Sequence, residues 1–341
     1  MATAHQTLFS KAAEAGASDV HIAVGIPILF RIDGILTPQT KTIVGASEVE
    51  KIVKGMIGED GYKRLKEYKE IDISHQLEDG TRLRVNCHFE RGNLGMVARI
   101  VPAQIPSIEE LGLQEIADTF CVQREGLVLF TGPTGEGKST SLAALIQQIN
   151  ASRPASIVTL EDPIEFLFPE GMGVVRQREM GQDFLSFPEA LKRVLRQDPE
   201  IVMVGEMRDP ETIAAALTLA ETGHLIFATL HTPNTWQTID RIIDVFPPHQ
   251  QPQIRSQLSL SLKAVIAQRL LPKEGGGRIA QREVMVNTPA VGNIIREGRL
   301  QELKSVLQTG GDEGMKSFEK DAKRLYKEGL ISKETYEWAG E

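Results

Sequence analysis

The chain has 341 residues, 41% of them hydrophobic and 25% charged, and a formal net charge of −8. That length exceeds one ordinary domain and that composition belongs to a globular protein, while the acidic balance weighs against nucleic acid as the main partner, because such affinity rests on Lys and Arg meeting phosphates. Two cysteines far apart in sequence, Cys87 and Cys121, support neither a disulfide framework nor a cysteine zinc site, and they read as small buried apolar residues.

The start, "MATAHQTLFSKAAEAGAS", lacks the basic and apolar stretches of a signal peptide, and no run is apolar enough to span a membrane, so a cytoplasmic protein is expected. "ASDVHIAV" and "PILFRIDGIL" read as strands around a Gly-Ile-Pro turn. "GASEVEKIVKGMIGEDGYKRLKEY" reads as helical with a Gly break, and "TRLRVNCHFERGNLGMVARIV" as two strands joined at Gly92-Asn93. Residues 1–100 thus form a small α+β domain. Pro102 and Pro106, ahead of an acidic helix start, mark a linker over 101–111. From residue 112 to 341, apolar strands ("GLVLF", "SIVTL", "EIVMVGE", "HLIFATL") alternate with helical segments, which predicts a parallel sheet covered on both faces; from about residue 285 the pattern turns mostly helical.

Within "LVLFTGPTGEGKSTSLAAL" a strand, a turn-rich loop and a helix follow one another. The loop, Gly132-Pro133-Thr134-Gly135-Glu136-Gly137-Lys138-Ser139 followed by Thr140, fits G-x-x-x-x-G-K-[ST]. In that pattern glycines turn backbone N–H groups toward phosphates, the lysine reaches the β and γ phosphates and the hydroxyl ligates Mg²⁺. The flanking strand and helix set aside the alternative of a Gly-rich turn that holds a lysine by chance. ATP and Mg are therefore the expected ligands.

Hydrolysis also needs a carboxylate to polarise water. "IVMVGEMRD" supplies Glu206 at the end of an apolar strand, with Gly205 standing where many nucleotide hydrolases have a magnesium-linked aspartate. "TLEDPIEF" offers Glu161, Asp162 and Glu165 after another strand. "ETGHLIFATLHTPNT" places His224 and His231 at the two ends of a third, and a strand end beside a phosphate site suits a γ-phosphate sensor. Arg176, Arg178, Lys192, Arg193 and Arg196 have a spacing on a helix that fits a solvated or subunit-facing surface as well as a nucleic-acid groove.

Several segments in fixed order resemble the secretion ATPases of type IV pili and type II secretion, and most of all the PilT-type pilus retraction ATPases. They are "ASDVHIAVGIP…FRIDG", "TGPTGEGKSTSLAALI", "TLEDPIEF", "QREMGQDFLSFPEALKRVLRQDPEIVMVGEMRDPETI", "TGHLIFATLHT", "TIDRIIDVFPPHQQ" and "NTPAVGNIIREG". The resemblance implies an α/β protein: a RecA-like P-loop ATPase domain with a smaller N-terminal PAS-like domain, assembled as a homo-hexamer with ATP between subunits. It implies Glu206 as catalytic acid, Glu161 near metal and water, and His231 and His224 as monitors of the nucleotide. Arg82, Arg84 and Arg99 match the N-terminal arginines that reach a nucleotide in these rings, and Arg208 and Arg241 are weaker candidates. The implied partners are an inner-membrane platform protein and a second pilus ATPase, with no nucleic acid and no membrane contact except through partners, at the inner face of the cytoplasmic membrane.

Extension and secretion relatives usually carry a long extra N-terminal region and a four-cysteine zinc element, and neither occurs in this sequence. Retraction enzymes usually carry a late A-I-R-N-L-I-R-E motif, which here reads Ala290-Val291-Gly292-Asn293-Ile294-Ile295-Arg296-Glu297, with Gly292 at the first arginine. "LSLSLKAVIAQRLLP" also looks like the accessory PilU-type retraction ATPases. An autonomous retraction motor is the leading reading and an accessory ATPase its alternative; a RecA-like nucleic-acid motor and a structural ring member that supports a partner ATPase are the remaining ones.

Overall fold

The computed structural model describes residues 4–32, 34–101 and 104–340, so Asp33 and the linker residue Pro102 lie outside the described residues. Residue contacts divide the chain into two compact units, Met1–Gln104 with Glu165–Leu167, and Ile105–Ile164 with Phe168–Glu341.

The first unit runs α1 (Ala4–Glu14), β1 (Asp19–Ala23), β2 (Leu29–Ile32), β3 (Ile35–Pro38), α2 (Ala46–Tyr68), β4 (Glu70–Gln76), β5 (Arg82–Glu90) and β6 (Asn93–Val101). Its six strands form one antiparallel sheet in the order β3-β2-β1-β6-β5-β4. Period-two alternation explains the burial of β5: Leu83, Val85 and Cys87 point into the core, and Arg84 lies on the exposed face. The stretch expected as one strand, "PILFRIDGIL", is instead the β2–β3 hairpin. Helix α2 breaks at Gly58, whose φ of 68° leaves the helical region. The β5–β6 turn consists of Arg91 and Gly92, both at positive φ, one residue earlier than the expected junction. That geometry matches the right-handed twist of the strands.

In the second unit α3 (Gln114–Phe120), β7 (Gly126–Thr131), α4 (Lys138–Ser152), β8 (Ser156–Glu161), β9 (Val174–Glu179), α5 (Phe187–Val194), β10 (Ile201–Val204) and α6 (Pro210–Glu221) come first. Then follow β11 (Leu225–Leu230), α7 (Thr235–Asp244), α8 (Gln251–Ser261), β12 (Leu262–Pro272), β13 (Arg278–Val286), α9 (Pro289–Glu297), α10 (Leu303–Thr309), α11 (Phe318–Lys327) and α12 (Lys333–Ala339). The seven-stranded sheet has the order β13-β12-β7-β11-β10-β8-β9, parallel throughout except for β13. Both faces are covered: Leu127, Leu129, Val158 and Val202 join one core, while Val128, Phe130, Ile157 and Met203 join the other. This is the parallel sheet covered on both faces that apolar strands alternating with helices predict, and it agrees with the RecA-like domain that the resemblance implies.

Three local features differ from the sequence reading or go beyond it. Arg176 and Arg178 sit on the edge strand β9, where Arg176 donates to Ser156 Oγ at 3.1 Å and Arg178 to Asp183 O at 2.8 Å. Their guanidinium groups are used inside the unit, which removes them from a helical basic face. The acidic helix start after Pro106 is a turn in which Ser107 N donates to Glu110 Oε2 and Glu110 N to Ser107 Oγ, and the helix begins only at Gln114. The third is the hairpin of β12 and β13, which the sequence pattern did not predict.

Candidate functional site

Strands β10, β11, β7 and β12 are adjacent and parallel, so their C-terminal ends share one edge of the sheet. Ligands of open α/β sheets bind outside that edge. The loop of residues 132–137 leaves β7 there, and α4 follows with Gly137 at its N-cap in the left-handed conformation (φ 74°). No side chain caps α4, so the N–H groups of its first turn are available to an anion. Lys138 is 7% exposed, and its Nζ donates to Gly132 O at 2.6 Å and Pro133 O at 2.8 Å, which curls the loop around its own cation. Pro133, Thr134, Gly135 and Ser139 are exposed along the loop, and Thr140 is half-buried.

Residues far away in sequence brace this loop. At Gly132, with φ 141°, a Cβ would lie 2.2 Å from Gln268 O, so only glycine lets the loop pass β12 this closely. Gln268 is buried and donates through Nε2 to Glu136 O at 2.6 Å, while its Oε1 accepts from Ser141 Oγ at 2.8 Å and Arg282 Nε at 2.9 Å. The Glu136 carboxylate turns to the backbone N–H of Leu270. The loop acid is thus engaged by β12. Gln268 and Arg282 were not singled out from the sequence; the available signal was a polar pair inside the apolar runs "VIAQRLL" and "QREVMV".

Beside the loop, Glu206 follows β10 and its side chain is 15% exposed. Its Oε2 is 3.0 Å from His231 Nε2, at the end of β11, and its Oε1 is 2.6 Å from Arg208 Nη2. Thr229 Oγ1 donates to Gly205 O at 2.5 Å and Thr131 Oγ1 to Thr232 O at 2.5 Å, locking the loops after β10, β11 and β7 together. Glu161 ends β8 and is buried, accepting from Thr159 Oγ1 at 2.7 Å and Gln177 Nε2 at 3.1 Å. The glycine at 205 has a steric reason: a Cβ there would sit 3.2 Å from Leu160 O and 3.4 Å from Glu161 Cα.

The structure therefore brings the loop, Glu206, Glu161 and His231 to one edge, and adds Arg208. His224 is not among them. It precedes β11 at the opposite edge, where its Nδ1 meets Leu219 O at 3.1 Å at the end of α6. A six-residue strand, roughly 20 Å long, separates it from the loops. Arg82, Arg84 and Arg99 belong to the first unit, where Arg99 Nε pairs with Asp19 Oδ1 at 2.9 Å. Arg241 is exposed on α7, and Glu165 is grouped with the first unit.

The description "Type II/IV secretion system protein" matches residues 2–291. The type IV pilus retraction ATPase PilT of Pseudomonas aeruginosa is 43% identical over 96% of this chain and 95% of its own length. The type IV pilus ATPase PilU of the same organism is 40% identical over 95% of this chain and 84% of its own. A crystal structure of the pilus retraction motor PilT with bound ADP superposes with a TM-score of 0.91 at 40% identity, covering 98% of this chain and 96% of that one. The chain belongs to the type II/IV secretion system protein family and, within it, to the PilT-type ATPases.

Proposed function

We propose that the chain is an ATPase that converts ATP hydrolysis into type IV pilus retraction and so drives twitching motility. The observation that carries this reading is the Glu206–His231 pair standing beside a phosphate loop whose helix N-terminus is uncapped. Gly132, Pro133, Thr134, Gly135, Glu136, Gly137, Lys138, Ser139 and Thr140 cradle the phosphates. Ser139 presents an exposed hydroxyl in the first turn of α4, a hard oxygen donor of the kind Mg²⁺ takes, and the ion would neutralise charge on the transferring phosphoryl group. Glu206 orients and deprotonates the attacking water, and His231 holds that carboxylate and responds to the γ-phosphate. Glu161 shapes the metal and water side of the site.

Around this site the working assembly is a homo-hexamer in the cytoplasm at the inner face of the membrane, acting on the platform protein. The first unit is a PAS-like domain whose Arg82, Arg84 and Arg99 add positive charge to a nucleotide in the ring. No helix among the described residues is long and apolar enough to cross a membrane. Gly292 in the late motif and the similarity to PilU favour a second reading, an accessory ATPase that works with a partner motor. Expression in a host lacking its retraction ATPase separates the two. The autonomous reading expects wild type, but not Glu206→Gln, to lower the surface pilus count and restore movement. Failure of both, with purified wild type still hydrolysing ATP, favours the accessory role; absence of hydrolysis overturns both.

A further inference from the structure

Away from the phosphate loop, the second unit encloses a cavity of about 380 Å³ between α3, β13 and the turn before α11. Ile116, Phe120 and Met315 give it an apolar side. Arg282, Lys316 and Arg324 give it a cationic one.

Arg282 is 5% exposed. Its Nε donates to Gln268 and its Nη1 to Gly112 O at 3.0 Å, but its Nη2 is buried without a protein acceptor. Burial is the chief cause holding this guanidinium down to about 10, with Asp321 opposing that shift and Arg324 adding to it. The Asp321 carboxylate favours the charge through space but does not bond the guanidinium: Oδ2 accepts from the Arg282 backbone N–H, and Oδ1 lies on Arg324 Nε at 2.9 Å and 3.8 Å from Lys316 Nζ. Lys316 has its short contact with Glu115 at 3.0 Å, and that carboxylate is 83% exposed, a partner easily exchanged for another oxyanion. Glu313, the remaining acid of the lining, is exposed.

We propose that this cavity is an effector site for a small organic anion, one oxyanion on an apolar body, with its oxygens on Arg282 Nη2 and Lys316 Nζ in place of Glu115. The body packs against Phe120 and Met315. Because Arg282 also donates to Gln268, and Gln268 to the carbonyl of Glu136, an anion that fixes the guanidinium also fixes the brace under the phosphate loop. This coupling rests on the nucleotide-binding reading of that loop; the site itself does not.

Saturation-transfer NMR on the full chain, with ADP filling the phosphate loop, tests it using phenyl phosphate and benzoate as probes and phenol as the uncharged control. The expected result is transfer to one or both anions, phosphate or carboxylate as the site prefers, weakened about tenfold by Lys316→Met, the loss expected for one bond to a charge. Arg282→Gln should abolish it, and Lys316→Met decides the matter if that protein does not fold. No transfer to either anion, equal transfer in Lys316→Met, or equal transfer to phenol overturns the site. ADP affinity, measured separately with and without the bound anion, should rise about fivefold. An unchanged value overturns the effector role, and failure of ADP to bind at all overturns the nucleotide reading while the Lys316→Met comparison still decides the cavity.

Discussion

Glu206 Oε2 lies 3.0 Å from His231 Nε2, a contact that joins the ends of two adjacent parallel strands, β10 and β11. On the proposed reading Glu206 is the general base, and such a group contributes about 10²- to 10⁴-fold to a rate. Glu206→Gln should therefore lower kcat by about that much. His231→Ala, which frees the carboxylate, should lower it about tenfold or more. Arg208 approaches the same carboxylate from an exposed position, 72% accessible, and its removal should change kcat by less than about fivefold. Steady-state ATPase assays beside ADP titrations check this, with ADP affinity little changed in all three.

Glu136 would weaken nucleotide binding if its carboxylate faced the phosphates. It is turned to the Leu270 N–H instead, so Glu136→Ala should loosen the loop and raise the Kd for ADP a few-fold. A tighter Kd in the variant would contradict this arrangement. Gln268→Leu is the harsher change, because it strips partners from Ser141, Arg282 and Glu136 in a buried place. Urea unfolding should show a loss of about 2–4 kcal/mol.

Gly292 is buried on α9, and a Cβ there would stand 3.2 Å from Ser259 O and 3.4 Å from Asn287 Oδ1. Gly292→Ala sets a helix gain of about 1 kcal/mol against that crowding and should leave stability nearly unchanged. Gly292→Arg, which restores the motif of the retraction enzymes, must part α9 from α8 and should cost about 1–3 kcal/mol. Thermal melts of the two variants decide between accommodation and strain.

Burial raises the Asp19 pKa, but hydrogen bonds from Arg99 and Ser18 outweigh it and hold the carboxyl below its ordinary value of 3.8. A carboxylate depressed in the folded state adds stability above its unfolded pKa, and that stability is lost as pH falls through the folded value. The first unit should accordingly loosen below about pH 4 in wild type, whereas Asp19→Asn should be weaker already at pH 7 and less sensitive to acid. Both tryptophans, Trp236 and Trp338, lie in the second unit, so hydrogen exchange of β1 and β6 is the suitable readout.

Burial pushes the thiols of Cys87 and Cys121 up to about 12. The thiolate is the reactive form. At pH 8 both should resist thiol reagents in the native protein and react when it unfolds.

The strand, loop and helix around Lys138 and the strand-end position of Glu206 were legible because their signals are local: such elements announce themselves within about twenty residues. What braces them was not. Gln268 meets Glu136 across 132 positions, and nothing near either residue signals the other. Strand β9 was obscured because it is an edge strand with arginines at alternate positions, which imitates a basic helical face over so short a span. His224 could have been placed correctly from direction alone. In a parallel sheet every C-terminal end lies on the same side, so the residue before β11 faces away from the loop that follows β7.

The 2.2 Å approach of a would-be Cβ at Gly132 to Gln268 O has a practical meaning for anyone dissecting the protein. A fragment cut after α8 would keep every residue of the nucleotide motif and all of its partners at the ends of β10 and β11. It would lose the wall against which the loop is moulded and leave β7 as a raw sheet edge prone to self-association. The smallest piece able to hold nucleotide must extend through β13, well past His231, the last residue that the motifs place at that edge.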